Sequence, residues 1–219
     1  MGKKNIFEKI NSVPALLAAN FQKFAKKPAM ILNGEKKISY NDMRWDIFKT
    51  SNILRVGGKT PKSVAIFIDD SPQAVESFYS VLSIGSKATL LRYDMSKDEV
   101  AAALKNERPE AVFIRSVKMD LLPEDLNAIV YEIANNSVLK KHDKEEIQKR
   151  AQEAVDNSEN KVLAVAYSSG NRRSEFTRSD LAKMIGRKNK VKKSYGSLVE
   201  YVANIINAFI KGRAVQASL

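Results

Sequence analysis

Three short apolar segments, at residues 64–68, 88–91 and 111–114, restrict the fold more than any other feature of this 219-residue chain. Residues 64–68 are continuously apolar and β-branched, as a strand buried on both faces of a sheet is, and the other two segments predict a second and a third strand. Ser71-Pro72 and Ser96 are typical helix starts and lie in the two intervals between the segments. The order β-α-β-α-β predicts a parallel sheet with right-handed crossovers.

The first 60 residues predict a helix, a β-hairpin and a second helix. Apolar residues recur at helical spacing over 13–25. Asn33-Gly34 favours positive φ between two short apolar segments and therefore predicts the turn of a hairpin. Ser39, with Asp42 three residues later, is typical of a capping box and begins the second helix. The buried stripe expected on that helix consists of Met43, Ile47, Thr50 and Leu54.

The second half of the chain continues the α/β pattern after a polar segment. Residues 118–160 are mostly polar, and we predict helices over 123–134 and 143–156. A further buried strand is predicted at 162–167. It is followed by helices over about 179–186 and 197–211, a basic connector over 187–193 and a last apolar stretch at 214–217.

The expected architecture is α/β, a three-layer, doubly wound and mostly parallel sheet of about four or five strands, with an N-terminal helix and β-hairpin. We expect one domain over residues 1–219. It divides into an N-terminal part, a β-α-β-α-β unit, a polar helical segment and a basic strand-loop-helix segment, which cover residues 1–60, 61–117, 118–160 and 161–219.

The residue types present exclude several kinds of site. The chain has no cysteine, so disulfides, thiolate metal sites and thiol nucleophiles are excluded. His142 is the single histidine, and one imidazole gives little basis for a zinc site or a Ser-His-Asp triad. No run of about 18 apolar residues occurs, so no membrane span is expected. Without a signal-peptide pattern at its start, we expect the protein in the cytoplasm.

Positive charge is concentrated near the C-terminus. Residues 161–219 contain twelve Lys or Arg and three acidic residues, and so carry +9 of the net charge of +12. This asymmetry indicates an acidic partner for the C-terminal part. Segment 172–193 could bind nucleic acid through counterion release or form a solvated basic connector. No RNP-type or helix-turn-helix pattern supports dedicated nucleic-acid recognition.

Six segments together resemble the N-terminal half of the large domain of the adenylate-forming (AMP-binding) superfamily, which includes acyl-CoA synthetases, luciferases and non-ribosomal adenylation domains. Their order and spacing over roughly residues 10–186 carry the resemblance, and the last segment follows that range. The segments are PALLAANFQKFAKKPAMIL, KKISYNDM, VAIFIDDSPQAVESFYSVLSIGSKATLL, KDEVAAALKNERPEAVFI, VLAVAYSSGNRRSEFTRSDLAKMI and NIINAFIKGRAVQASL.

The resemblance implies a phosphate-binding loop after the strand at 162–167, but this loop is degenerate. In the family, small residues let backbone N–H groups close around the phosphates of ATP, and a lysine adds charge. Here residues 171–175 replace the glycine and lysine portion, the loop is about four residues shorter, and Glu175 would repel phosphate. The residues that could still contact ATP or AMP are Ser168, Ser169, Gly170, Arg172, Arg173 and Thr177.

A plain strand-to-helix loop is the alternative for residues 168–170, where Ser and Gly are common in any case. Asp69-Asp70 could bind Mg²⁺, but Asp70-Ser71-Pro72 is more simply the cap of a helix. Trp45 and Phe48 are interpreted as core or subunit-contact side chains. The sequence assigns no catalytic or metal-binding residue.

We expect a protein that is not catalytic alone, because the family's remaining nucleotide-binding elements and its C-terminal domain have no counterpart in these 219 residues. It would act as a partner-binding or accessory protein in acyl or fatty-acid metabolism. Its partner would be a second synthetase subunit, an acidic acyl carrier protein or another copy of itself. The alternatives are a split acyl-CoA synthetase that needs a second chain, and a basic nucleic-acid-associated protein.

Overall fold

The computed structural model describes residues 13–55, 60–136, 138–140, 162–168, 170, 172–185 and 198–217. The elements, in chain order, are α1 (Val13–Lys23), β1 (Pro28–Leu32), β2 (Lys36–Ser39), α2 (Tyr40–Leu54), β3 (Ser63–Ile68), α3 (Pro72–Ser83), β4 (Lys87–Arg92), α4 (Lys97–Glu107), β5 (Ala111–Ile114), β6 (Ile129–Glu132), β7 (Val138–Lys140), β8 (Val162–Ser168), β9 (Arg172–Thr177), α5 (Arg178–Ile185), α6 (Leu198–Lys211) and β10 (Val215–Ala217). A 3₁₀ helix spans Ser116–Leu121.

A mostly parallel sheet of seven strands, in the order β7-β6-β5-β3-β4-β8-β9, organises the described part of the molecule. The five inner strands are parallel, and β7 and β9 pair antiparallel at the two edges. A second sheet has the order β10-β1-β2 and contains the N-terminal hairpin. The predicted doubly wound α/β architecture is confirmed. The expected four or five strands are fewer than the seven of this sheet, because β6 was mistaken for a helix and the antiparallel edge strands β7 and β9 were missed.

Strand β3 shows how the layers form. All six of its residues are buried, and their side chains alternate between the two faces of the sheet. Val64, Ile66 and Ile68 join the core that includes α1, α2, α3 and α6, whereas Ala65 and Phe67 join the core beneath α4. The continuous apolar run therefore supplies two hydrophobic cores at once, as a buried parallel strand does.

Three helix starts predicted from serine residues are confirmed. Ser39 and Ser96 form capping boxes with Asp42 and Glu99, and Ser71 accepts a hydrogen bond from the backbone N–H of Ala74. Each cap satisfies backbone donors that the first turn of a helix leaves free. The predicted buried stripe of α2 is also confirmed, since Met43, Ile47, Thr50 and Leu54 are all buried.

The helix predicted over 123–134 is wrong. The structure places a turn there, followed by strand β6, which pairs in parallel with β5. Residues 129–132 read Ile-Val-Tyr-Glu and are all buried. β-Branched and aromatic residues favour a pleated, packed surface, and this preference outweighs the polar residues that precede them. The helix predicted over 143–156 lies outside the described residues.

The interpretation of residues 171–175 as a loop is also wrong from Arg172 onward. Arg172–Thr177 forms β9, which pairs antiparallel with β8, and α5 then begins at Arg178. Phe176 is buried beneath this edge, while Arg172, Arg173 and Glu175 remain exposed. Charged side chains are common on edge strands because they discourage pairing with another chain. The connector predicted over 187–193 lies outside the described residues.

An aromatic cluster joins α6 to the N-terminal helices. The rings of Phe21, Tyr40, Tyr79 and Phe209 pack against one another with centroids 4.9–6.4 Å apart. The hydroxyl of Tyr79 donates to the carbonyl of Ile205 at 2.9 Å, and burial raises the pKa of the Tyr40 phenol. These contacts and the β1–β10 pairing hold the C-terminal segment to the start of the chain.

Gly212, between α6 and β10, has a conformation that requires glycine. Its φ is +59°, and an added Cβ would lie 2.5 Å from the ring of Phe24. No helix in the described ranges is long and apolar enough to cross a membrane.

Candidate functional site

The turn between β8 and β9 is the place where the sequence predicts phosphate contacts. Ser168 pairs with Arg172, so three residues, 169–171, connect the two strands. Gly170 has φ +77°, which favours glycine, and an added Cβ there would meet nothing within 4 Å. The turn therefore needs glycine for its backbone conformation and not for close packing.

The backbone N–H of Gly170 already has an anionic partner. It donates to Oε1 of Glu99 at 2.6 Å, while Oε2 of the same carboxylate accepts from the N–H of Ser96 at 2.8 Å. Glu99 thus joins the capping box of α4 to the β8–β9 turn. Ser96 marks the start of α4 in the sequence, but the contact of Glu99 with a turn 71 residues away leaves no local sequence signal.

Arg173 is held by two carboxylates of the chain itself. Its Nε donates to Oε1 of Glu107 at 2.7 Å, and its Nη1 pairs with Glu175. The Glu107 side chain is 2 % exposed and also accepts from Lys87 at 2.7 Å and from the hydroxyl of Tyr167 at 2.8 Å. Arg173 and Lys87 therefore neutralise a buried carboxylate at the end of α4.

The ionisation of these groups follows from that geometry. Burial by itself would raise the pKa of the Glu107 carboxyl, but hydrogen bonds from Arg173, Lys87 and Tyr167 outweigh it and leave the pKa below its ordinary value. The hydrogen bonds to Glu107 and Glu175 raise the pKa of Arg173. Both groups are charged at neutral pH, and their charges offset one another.

Thr177 serves as the N-terminal cap of α5. Its hydroxyl accepts from the N–H of Asp180 at 3.2 Å, and its own N–H donates to Oδ2 of Asp180 at 3.0 Å. This reciprocal arrangement is a capping box with Asp in place of Glu. The side-chain oxygen that was expected near phosphate is engaged in starting a helix.

Of the six predicted cofactor-binding residues, Gly170, Arg172, Arg173 and Thr177 are described with their surroundings. Ser168 is described as the last residue of β8 but not in its side chain, and Ser169 lies outside the described residues. The four described residues lie along the β8–β9 hairpin and next to the start of α5. Their contact with a nucleotide stays a prediction.

Asp69, considered above as a possible Mg²⁺ ligand, lies at the carboxyl edge of the parallel strands. Its Oδ2 accepts from Nε of Arg115 at 2.7 Å, and its Oδ1 accepts from the N–H of Ser71 at 2.9 Å. Within the described ranges, no group of three or more His, Cys, Asp or Glu could hold a metal ion. Asp69 is therefore ion-paired with Arg115 and lies next to the cap of α3.

Glu76 lies in a polar cleft of about 430 Å³ between β2, α2, α3 and the turn after β6. Its carboxyl forms no hydrogen bond or ion pair with a described residue. Burial, aided by the negative charge of Asp46 and opposed by Lys49, raises its pKa to about 8. Glu76 has no distinguishing signal in the sequence, because an acidic residue in an amphipathic helix is normally exposed.

A family model described as AMP-binding enzyme matches residues 17–171 of the chain. Comparison with curated protein sequences gives no match. Among solved structures, the crystal structure of VinN superposes with a TM-score of 0.71 at 15 % identity, and it aligns with 94 % of this chain and 59 % of its own. A fatty acyl CoA synthetase of Mycobacterium tuberculosis superposes with a TM-score of 0.71 at 14 % identity, and the match covers 96 % of this chain and 45 % of the synthetase chain.

An artificially fused adenylation-PCP di-domain from Klebsiella oxytoca is also similar. Its TM-score is 0.69 at 15 % identity, and the match covers 95 % of this chain and 39 % of the fusion. At these identities the superpositions show a shared fold and nothing finer. The chain spans between 39 % and 59 % of the length of these three structures.

Proposed function

Since the chain belongs to the AMP-binding enzyme family, we propose that it is a member that does not bind ATP at the β8–β9 turn and that acts as a partner-binding accessory protein in acyl metabolism. The observation that carries the proposal is that polar groups of the turn already have carboxylate partners within the protein. Glu99 accepts a hydrogen bond from the N–H of Gly170, and Glu107 and Glu175 pair with the guanidinium of Arg173.

A phosphate at this turn would have to displace one carboxylate and approach others. Two unit charges 4 Å apart repel by about 1 kcal/mol in water and about 4 kcal/mol near a protein surface. Glu99 and Glu175 both lie at the hairpin, and a triphosphate carries several negative charges. Three connecting residues also offer few backbone N–H groups with which to surround phosphate oxygens.

The accessory role and its metabolic setting are inferred from the relatives. The fatty acyl CoA synthetase and the adenylation-PCP fusion have the same fold, and their names refer to acyl and carrier-protein chemistry. We take an acyl carrier protein or a second synthetase chain as the partner, with the cytoplasm as the setting. Association with nucleic acid through residues 172–193 is less favoured, because Arg173 is neutralised by carboxylates.

A component of a split acyl-CoA synthetase is the second candidate. The preserved fold favours it, since 94–96 % of this chain superposes on the three structures. On this proposal another chain supplies the remaining nucleotide-binding groups. Activity would then depend on that chain and not on the β8–β9 turn alone.

Calorimetric titration with ATP and Mg²⁺ tests the main proposal, together with pyrophosphate exchange over a panel of carboxylic acids. We expect no binding heat and no exchange from the chain alone. ATP binding with micromolar affinity would overturn the proposal. Exchange that appears only after a second synthetase chain is added would establish the split-enzyme candidate instead.

The Glu99→Gln variant tests the role of the carboxylate directly. Glutamine keeps the size of the side chain and can still accept the Gly170 hydrogen bond, but it removes the negative charge. We expect inorganic pyrophosphate, titrated at low salt, to bind this variant more tightly than the natural protein. Asp98→Asn, which removes a neighbouring charge in the first turn of α4, is the matched control. Equal affinity of all three proteins would show that Glu99 does not keep phosphate out.

A further inference from the structure

Helix α2 carries an unusual share of the exposed apolar surface. Of the four large apolar residues that are exposed in the described ranges, three lie on this helix: Trp45 at 52 %, Phe48 at 56 % and Ile53 at 38 %. The rings of Trp45 and Phe48 contact edge to face, with centroids 6.2 Å apart. Trp45 and Phe48 were expected in a core or a subunit contact, and the described structure places neither in a core.

Phe48 also borders a groove between α1, α2 and the end of α3. The groove has a volume of about 270 Å³, and its apolar lining includes Leu17, Ala18, Phe21 and Ile84. A concave apolar surface next to exposed aromatic rings is typical of a protein-protein interface. The groove is wide enough to receive side chains from one face of a helix.

The charges at this groove have one sign. Arg44 and Arg55 are its charged lining residues, and no acidic residue lines it. Neither arginine forms an ion pair with a residue in the part of the chain that the structure describes. The guanidinium of Arg44 lies 5.7 Å from the ring of Trp45, in a cation-π contact. On α2, Asp46 is paired with Lys49 at 3.1 Å, and Asp42 is engaged in the capping box with Ser39.

We propose that this surface, the α2 docking surface formed by Arg44, Trp45, Phe48, Arg55 and the adjoining groove, binds an acidic amphipathic helix of a partner protein. The inference rests on the partner-binding role proposed above and names the partner's chemistry. Apolar side chains of the helix fill the groove, and its carboxylates pair with Arg44 and Arg55. Trp and Arg are the residue types that contribute most to binding energy at interfaces, and bidentate Arg–carboxylate pairs are strong.

Charge argues against other occupants. A second copy placed by a two-fold axis would bring the same arginines together, and like charges oppose such pairing. Residues 1–12 contain three lysines and one glutamate, so their net charge also has the wrong sign. A flat anionic membrane matches the charge but not the concave shape of the groove.

The chain's single tryptophan makes the surface directly measurable. Trp45 fluorescence reports binding at this place without any label. The probe is a synthetic helix of about 18 residues with leucine at i, i+3, i+4 and i+7 spacing and glutamate at most other positions. We expect a shift of Trp45 emission to shorter wavelength and a micromolar dissociation constant. A twin peptide with lysine in place of glutamate should cause no shift.

Charge reversal supplies the decisive comparison. In the double variant Arg44→Glu and Arg55→Glu, affinity for the acidic peptide should fall about tenfold or more, and the lysine twin should begin to bind. Lys118→Glu, a reversal at an exposed residue of the 3₁₀ helix, should bind the acidic peptide as the natural protein does. Loss of binding in the Lys118 variant alone would contradict a specific site.

Each other occupant has its own signature. Emission that depends on protein concentration without peptide would identify a second copy and overturn the proposal. Strong protection of Trp45 from iodide at every concentration would identify the chain's own segment as the occupant. Tighter binding to phosphatidylglycerol vesicles than to the acidic peptide would identify a membrane. If the acidic peptide does not bind and ATP gives no binding heat, the α2 docking surface is refuted and the non-catalytic proposal stands. If the peptide binds and ATP gives binding heat, only the non-catalytic proposal is refuted.

Discussion

Arg173 of the β8–β9 hairpin differs in its contacts from Arg44 of helix α2 and Arg55, which follows that helix. Arg173 lies between Glu107 and Glu175, and the first of these is buried. Arg44 and Arg55 border an apolar groove and have no carboxylate partner among the described residues. A guanidinium that has formed its ion pairs inside the protein stabilises the fold, whereas one without such pairs remains available to another molecule.

The same contrast holds for two glutamates. Glu107 accepts hydrogen bonds from Arg173, Lys87 and Tyr167, and its pKa is lowered. Glu76 lies beside α2 without such partners, and its pKa is raised to about 8. Glu107 is therefore neutralised by cations of the chain itself, whereas Glu76 has no hydrogen-bonded partner of this kind among the described residues. Positive charge alone, as read from the sequence, does not reveal which side can bind a partner.

The largest effect is expected when the buried carboxylate is removed. Glu107→Ala leaves Arg173 and Lys87 without their shared partner, and breaking a buried ion pair in this way costs about 3–5 kcal/mol. Urea unfolding followed by circular dichroism measures the change in the free energy of unfolding. Glu175→Gln removes the exposed partner of the same arginine and should cost less than about 1 kcal/mol. Equal losses in the two variants would contradict the contrast between the buried and the exposed pair.

The pH dependence of stability gives a second measure of Glu107. A carboxyl whose pKa is lower in the folded state stabilises the fold above the pKa of the unfolded chain, and this contribution is lost as the pH falls through the folded pKa. The unfolding free energy of the natural protein should therefore decrease below about pH 4.5. Glu107→Gln should flatten that decrease. A decrease of the same slope in the variant would show that other carboxyls are responsible.

Glu76 should behave in the opposite direction. Because its pKa is higher in the folded state, the folded protein binds more protons than the unfolded chain between about pH 4.5 and pH 8, so stability falls as the pH rises through that range. Glu76→Gln removes the half-buried charge and should stabilise the protein by about 1–3 kcal/mol at pH 9. At pH 4.5 the variant and the natural protein should be nearly equal. Destabilisation at pH 9 would mean that the carboxylate has a partner in solution.

The sequence predicted the elements whose signals are local. The strands expected at 64–68, 88–91 and 111–114 lie within one residue of β3, β4 and β5. Serine caps gave the starts of α2, α3 and α4 equally well. Strand β6 was mistaken for a helix, since its four residues are too few to show a period and its parallel pairing with β5 is a tertiary contact.

The turn after β8 was predictable in position, but the contacts of the residues around it were not. The motif Ser168-Ser169-Gly170 located the turn, and the charges of Arg172 and Arg173 suggested an affinity for phosphate. Whether the N–H of Gly170 and the guanidinium of Arg173 are free depends on Glu99 and Glu107, which lie more than 60 residues earlier in the chain. Only the pairing of β8 with β4 and the crossing of α4 bring them to the hairpin. A single sequence holds no signal for such long-range ion pairs.

The smallest expected effect completes the comparison of the arginines. Arg44→Ala and Arg55→Ala should each change the free energy of unfolding by less than about 0.5 kcal/mol, as surface substitutions without ion pairs do. Arg173→Ala should cost about 1.5–3 kcal/mol under the same conditions, because it removes a charged hydrogen bond to Glu107. All three variants lose one positive charge, so their shared change in net charge cancels in the comparison. A loss at Arg44 or Arg55 as large as at Arg173 would mean that these arginines support the fold, and the α2 docking surface would then lack its free cations.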